Sequence, residues 1–534
     1  MPPLLDTERN TAARRVWLEC GVLTFLLALA AAFRIPRLFD GFSGDEVYTL
    51  AGAMWPLDKL LSGKMAATTF TPLTWLVVKA TISLFPPAAQ FRFPVQMPLT
   101  GEAMPMHLSE VTLRLPFFFM SLITLVLLFL LVRRHFGLNA AFWAGLFLAV
   151  SPEHVYYSNE LRFYGMVCLA GMVLLCGVQM VLDGRGWRGW CVTALGLLLG
   201  LPTHLSFFFI TAGIMGGAAV SLLLDSGFRR RSFVTLAGLA GLCAAVVVLQ
   251  VAVTLSFSPA PLDEMRLLFS GQQNVSAEGA PGVGADDGGD AGADTPGELI
   301  PQRYTLWLGE YVNSYIVKYF LSCHDTRAGV ALAVVLAAGL LGLYVRRRSM
   351  LLMLLGVLCS PLPLFFIQVN HKWFYRYFIF DLLLFAVLAG VGMDVLFRRL
   401  RGLAGPSRPR LGVGLCVLAA LLSVWAYTPS LAAGMKKAPY AHVDGGVKNM
   451  SEVLAKRIRA TDRILFFEPF RTWRLSYHLM PYYLCRLRPD WEAHGVINKM
   501  IMCADQKEFG EVLAKQPQDG FWVVSFDGEN KDPS

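Results

Sequence analysis

Apolar runs of membrane-spanning length, separated by short clusters of arginine, constrain this chain more than any other feature. Such runs begin at Val16–Phe33 and recur along the 534 residues. Each of about 18 to 20 residues is long enough to cross a bilayer as a helix. Composition agrees: 55% of residues are hydrophobic and 16% are charged, where a soluble globular protein has about a quarter charged. The net charge of +9 does not point to nucleic acid. The arginines sit in the gaps between apolar runs, as the positive-inside rule demands. The chain is expected to be an α-helical polytopic membrane protein.

The clusters are Arg9/Arg14/Arg15, Arg133/Arg134, Arg185/Arg188, Arg229–Arg231, Arg346–Arg348, and Arg398, Arg399, Arg401, Arg408 and Arg410. If all are cytoplasmic, an even number of spans separates each from the next. Spans at 16–33, 111–132, 139–152, 163–182, 190–202, 205–224, 232–257, 328–345, 349–369, 377–397 and 411–428 satisfy this. The expectation is therefore eleven spans, with residues 1–15 inside and the C-terminus outside. Counting 67–85 as a span would put Arg133 and Arg134 outside. That stretch also holds Pro72 and Lys79, so it reads as an interfacial helix. Ala28-Leu29-Ala30 would suit signal peptidase, but the parity works with the first run retained.

Four segments then face outward: a first loop (34–110), a short loop (153–162), a longer one (258–327) and a tail (429–534). Residues 270–298, rich in Gly, Asp and Ala, are expected to be a disordered linker. Asp286, Asp287, Asp290 and Asp294 lack the spacing of a calcium loop. In the tail, DRILFFEP and FWVVSF read as strands and GVKNMSEVLAKRIRA as a helix, giving a small outer α/β domain. Seven of ten cysteines lie in or near spans; Cys485 and Cys503 could pair in an oxidising compartment.

Chemistry concentrates on the outer side. Asp45 and Glu46 follow the first span closely, and charges near hydrocarbon usually serve a polar cavity. The bland reading is a solvated loop or a cap for the following helix. The short loop SPEHVYYSNELRFYG packs Glu153, His154, Tyr156, Tyr157, Asn159, Glu160, Arg162 and Tyr164 between two apolar runs. Glu160 and Tyr164 would share a face if that stretch were helical; an interfacial aromatic belt is the alternative. Arg114, His204 in LPTHLSF, and His371, Lys372, Arg376 and Tyr377 in NHKWFYRYF complete the set. Arg and Lys hold phosphate by charge-assisted hydrogen bonds, although each alone is as well read as a snorkelling anchor.

These motifs resemble a known family. The acidic pair, VTLRLPFFFMSLITL opening the second span, LAVSPEHVYYSNELRFYG, PTHLSF and FYRYFIFDLLLF are similar to blocks of the bacterial GT-C membrane glycosyltransferases. That superfamily includes the protein mannosyltransferases of glycosyltransferase family 39 and the lipid A aminoarabinose transferases. The resemblance runs from about residue 15 to 400. It implies a polyprenyl-phosphate-sugar donor and inverting transfer to an envelope glycan, lipid or protein acceptor. Asp45 would be the general base, with Glu46 beside it. Arg114 would contact phosphate, as would Lys372 and Arg376. His154, Tyr157, Glu160, Arg162, Tyr164 and His204 would line the cavity. A phosphate leaving group needs no proton, so one carboxylate suffices, unlike the pair used by hydrolases. Two blocks depart from the family pattern: FTPLTW lacks the histidine of an HPPL-type block, and SNELR replaces SQEAR. Both bear on which sugar or acceptor is used. No DxD lies in 153–162, so no cofactor or metal is expected; a divalent-metal mechanism is the alternative. The implied location is the bacterial inner membrane, with the site facing the periplasm. A flippase for lipid-linked sugars, or a sensor whose outer domain does the work, are the competing readings.

Overall fold

In the computed structural model the described residues are 3–43, 46, 49–50, 52–53, 56–61, 72–85, 109–224, 230–257, 326–360, 379–404, 409–436, 450–457, 463–467, 484, 487, 500–503, 511, 514 and 521–525. Asp45, His371, Lys372, Arg376, Cys485, the four linker aspartates and the linker 270–298 lie outside them.

Among the described residues a helix lies within, or overlaps, each of the eleven stretches expected to span. They are α1 (Pro3–Leu38), α4 (Glu110–Phe136), α5 (Leu138–Val150), α7 (Tyr164–Leu182), α8 (Trp187–Gly200), α9 (Ser206–Leu223), α10 (Arg230–Phe257), α11 (Thr326–Arg346), α12 (Arg348–Cys359), α13 (Asp381–Ala404) and α14 (Pro409–Lys436). Between them lie α2 (Leu57–Leu61), α3 (Leu73–Leu84) and α6 (Pro152–Tyr157). By length and apolarity, six of the described helices can cross a membrane: α1, α4, α7, α9, α10 and α11. The α5 helix has 13 residues and so a length of roughly 20 Å, short of a hydrocarbon core of about 30 Å. The 12 residues of α3 likewise fall short, as an interfacial helix would.

Local signals explain the helix limits. Ser109 caps α4, its Oγ accepting from Thr112 N at 3.2 Å, with Glu110 in the first turn. At the far end Arg133, Arg134 and His135 complement the helix dipole, and Gly137 stops the helix with a φ of 96°, a conformation that favours glycine. Pro152 opens α6 at a position where its missing N–H costs nothing.

The bundle packs α7 on α8, α9 on α12, and α13 between α5 and α11. Small residues allow this approach. A methyl at Gly217 would run into the Leu352 carbonyl across α9 and α12, and one at Gly392 would meet the Val335 carbonyl of α11. Outward faces stay apolar: Trp17 is 78% exposed, and Phe233, Val248, Val334, Leu421 and Trp425 are likewise exposed. Exposed apolar surface on this scale needs a nonpolar solvent. The chain is a multi-pass membrane protein.

Helices α1 and α4 run antiparallel, since the start of α4 meets the end of α1 while Arg133 pairs with Glu19. The 19 residues from Arg114 to Arg133 rise by about 28 Å, close to the hydrocarbon thickness. Ion pairs gather at the Arg133 end. Glu19 takes Arg15 and Arg133, Asp183 takes Arg134 and Arg347, and Asp394 takes Arg346 and Arg398. Several arginine clusters thus share one end, as the parity argument requires.

In the tail, strands form at β1 (Arg463–Phe467), β2 (Met500–Cys503) and β3 (Phe521–Ser525). They make a parallel sheet in the order β2-β1-β3, with Ile464 facing both Met500 and Trp522. Parallel neighbours need crossover connections. Strand β2 has no counterpart among the expected strands.

Candidate functional site

The site begins with a capping box. Ser43 and Glu46 are three apart, and each satisfies the other's backbone: Ser43 N donates to Glu46 Oε2 at 2.8 Å, and Glu46 N donates to Ser43 Oγ at 3.2 Å. This S-x-x-E pattern was legible as Ser43-Gly44-Asp45-Glu46, yet the sequence reading assigned any capping to the aspartate. Glu46 is 1% exposed, so its charge needs a partner.

Arg114, one turn into α4, supplies it. Nε donates to Oε1 at 2.7 Å and Nη2 to Oε2 at 2.6 Å, a bidentate pair between groups 4% and 1% exposed. The fourth bond to the carboxylate comes from Leu161 N, 2.8 Å from Oε1. Each Glu46 oxygen therefore accepts twice. The remaining Arg114 donors turn to the end of α1. Nη1 reaches Asp40 O at 2.6 Å and Arg37 O at 3.2 Å, and Nη2 reaches Gly41 O at 2.9 Å. Carbonyls at a helix C-terminus lack intrahelical donors and carry partial negative charge. All five N–H groups of Arg114 are directed at protein acceptors. Through these bonds Arg114 ties α1, α4, Ser43 and Glu46 together.

The short loop supplies the other wall. Residues 158–163 turn rather than continue as helix, and α7 starts at Tyr164, so Glu160 and Tyr164 do not share a helical face. The turn is what frees Leu161 N to reach Glu46. Glu160 and Arg162 are half-buried; Arg162 Nη1 donates to Thr49 Oγ1 at 3.2 Å. Phe163 stacks on His204, with centroids 3.6 Å apart and planes 10° apart. His204 Nδ1 accepts from Ser206 N, at the first residue of α9, at 3.1 Å. Tyr157 and Tyr164 are buried and meet edge to face at 5.0 Å, as members of the core cluster.

His154 is fully buried, with Nδ1 at 2.6 Å from Arg34 Nη2. Burial first, and the guanidinium second, hold its pKa well below the usual imidazole value. The ring is neutral and accepts through Nδ1, which places its proton on Nε2. Arg34 was missed by the sequence reading; in AAAFRIPRLFD it looks like a flanking arginine at a span end.

Helix α3 covers a flank of this end. Leu73 N donates to Pro202 O at 2.9 Å, Lys79 Nζ lies 3.3 Å from Ala53 O, and the Trp75 indole lies against Gly52. Of the predicted site residues, the structure brings together Glu46, Arg114, His154, Tyr157, Glu160, Arg162, Tyr164 and His204 at one end of the bundle. Asp45, Lys372 and Arg376 lie outside the described residues. Among the described residues, no three His, Cys, Asp or Glu gather as a metal-binding group.

Comparison with known proteins follows the same line. Residues 103–257 match the family model of the dolichyl-phosphate-mannose-protein mannosyltransferases. No curated protein matches the chain. Among solved structures, apo ArnT from Cupriavidus metallidurans is 15% identical, covering 96% of this chain and 90% of its own, with a TM-score of 0.47. The same protein bound to undecaprenyl phosphate is 16% identical over the same shares, with a TM-score of 0.45. The Archaeoglobus fulgidus oligosaccharyltransferase in complex with Zn and sulfate is 13% identical, covering 87% of this chain and 61% of its own, with a TM-score of 0.49. The region matched by the family model contains Arg114, the 151–163 loop and His204.

Proposed function

We propose that the protein transfers a single sugar from a polyprenyl-phosphate donor to an envelope acceptor at the outer face of the bacterial inner membrane, with inversion. Asp45 is the general base. It takes the proton of the acceptor hydroxyl as that oxygen attacks the anomeric carbon, and the polyprenyl phosphate leaves with the bonding electrons. The observation that carries this reading is the saturation of Glu46. With four hydrogen bonds on its two oxygens, Glu46 has a structural task, and its chain neighbour Asp45 is the carboxylate left for chemistry. Arg114 acts by holding Glu46, which frees Lys372 and Arg376 as the candidates for phosphate. Arg162, Glu160 and His204 line the acceptor side. In this reading the N-terminus is inside, eleven spans cross the membrane, and the site and the tail are on the outer side; the gathering of arginine ion pairs at the opposite end of the bundle supports that orientation.

The test compares envelope glycans and polyprenyl-phosphate sugars by mass spectrometry. The cells express wild type, no protein, or Asp45→Asn at matched levels. The proposal expects one glycan to lose one sugar in both deficient strains while a lipid-linked sugar accumulates. An unchanged glycan profile in the strain without the protein would sink it.

A further inference from the structure

Two buried arginines do the same physical job at this end of the bundle. Arg114 crowns the end of α1, and Arg34 crowns the end of α5. Arg34 is 1% exposed, and no carboxylate pairs with it among the described residues. Its charge is met by carbonyls. Nη1 donates to Ala149 O and to Ala30 O, both at 2.9 Å, and Nη2 donates to Leu148 O at 3.3 Å. Leu148 and Ala149 lie in the last turn of α5, whose carbonyls are unpaired within the helix and form its negative end. A guanidinium is well matched to such a cluster of acceptors.

The same residue then grips the next segment twice. Its Nη2 lies 2.6 Å from His154 Nδ1 in α6, and its backbone carbonyl accepts from Asn159 Nδ2 at 3.1 Å. His154 Nε2 and Asn159 Oδ1 are buried with no protein partner, so Arg34 is the one side-chain hydrogen-bond tie of each among the described residues. Two residues beyond Asn159, Leu161 N reaches Glu46.

We propose that Arg34 and His154 form a positioning pair. Together they fix the 154–161 segment so that Leu161 N–H is aimed at Glu46 and the acidic turn is held in its working geometry. His154 touches Arg34 rather than substrate. Its part in turnover rests on the transferase reading, whereas its hold on the loop does not.

The experiment is hydrogen–deuterium exchange on the full chain purified in detergent, followed in peptides covering 151–163. Wild type is compared with Arg34→Gln, His154→Ala and His154→Asn; the asparagine carries an amide oxygen in place of Nδ1. His154→Ala should raise exchange at the Leu161 amide by about tenfold, the effect of losing one charge-assisted hydrogen bond. Peptides within α7 should be unchanged, and His154→Asn should restore protection. Transferred sugar in cells should fall and recover in the same order. Wild-type protection in His154→Ala, or failure of His154→Asn to restore it, overturns the proposal. If Arg34→Gln does not fold, the two His154 variants decide. Asp45→Asn should exchange like wild type. The expected exchange pattern, with no sugar transferred by wild type, would support the pair while overturning the transferase reading.

Discussion

The two ends of this bundle use the same ionic vocabulary in opposite ways. At the arginine-rich end, acidic side chains meet arginines that remain partly in solvent: Arg134 is 31% exposed, Arg347 40% and Arg398 60%. At the other end, Glu46 and Arg114 are withdrawn from water entirely, and Arg34 is buried against carbonyls and a neutral imidazole. Exposed pairs contribute about 0–1 kcal/mol and weaken with salt. A buried pair gives little net stability for its Coulomb energy, but losing one partner strands a charge in low dielectric. The first arrangement leaves the arginines partly hydrated. The second fixes geometry, which a site for chemistry requires.

That contrast can be broken in several ways. The largest effect should come from Glu46→Ala or Arg114→Ala, each costing about 3–5 kcal/mol by leaving its partner's buried charge without a counter-charge. A thermal unfolding scan in detergent would register this as a large fall in midpoint. A smaller effect should appear with acid. His154 is held neutral in the fold, so the unfolded chain binds the extra proton once pH falls below about 6.5, the ordinary imidazole value. Stability contributed by the neutral ring is present above that pH. It is lost as pH falls towards the depressed folded value, by up to about 1.4 kcal/mol per pH unit. Denaturation midpoints between pH 7 and 5 should show this slope, and His154→Asn should remove it. The smallest effect belongs to the arginine-rich end. Arg398→Ala should change stability by about 0.2–1 kcal/mol, and high salt should erase the difference. A large, salt-independent loss there would end the contrast.

Much of the architecture was readable because membrane helices announce themselves locally. Apolar runs such as Ser206–Leu223 need no distant partner to be recognised, and that run is helical from end to end. Residues 463–467 and 521–525 likewise show strand composition in their own sequence. What could not be read depends on packing. Arg34 looks like any arginine flanking a span until α5 ends against it. Leu161 is unremarkable until its N–H points at Glu46, and the turn at 158–163 breaks a stretch that could equally have been helix. Strand β2, the four residues Met500–Cys503, is too short to show a period. The capping box was legible as S-x-x-E, but an adjacent carboxylate pair invites one chemical role for both members. The proposal divides the pair: Glu46 is held by four hydrogen bonds, and Asp45 is assigned the chemistry.

That division is most directly tested by measuring Asp45→Asn and Glu46→Gln side by side, for sugar transfer in cells and for thermal stability in detergent. The account predicts that Asp45→Asn unfolds like wild type while transfer falls by about 10²–10⁴-fold, the contribution typical of a general base. Glu46→Gln should lower the unfolding midpoint, because it leaves Arg114 without its carboxylate. Transfer by Asp45→Asn at the wild-type level, or Glu46→Gln as stable as wild type, would contradict it.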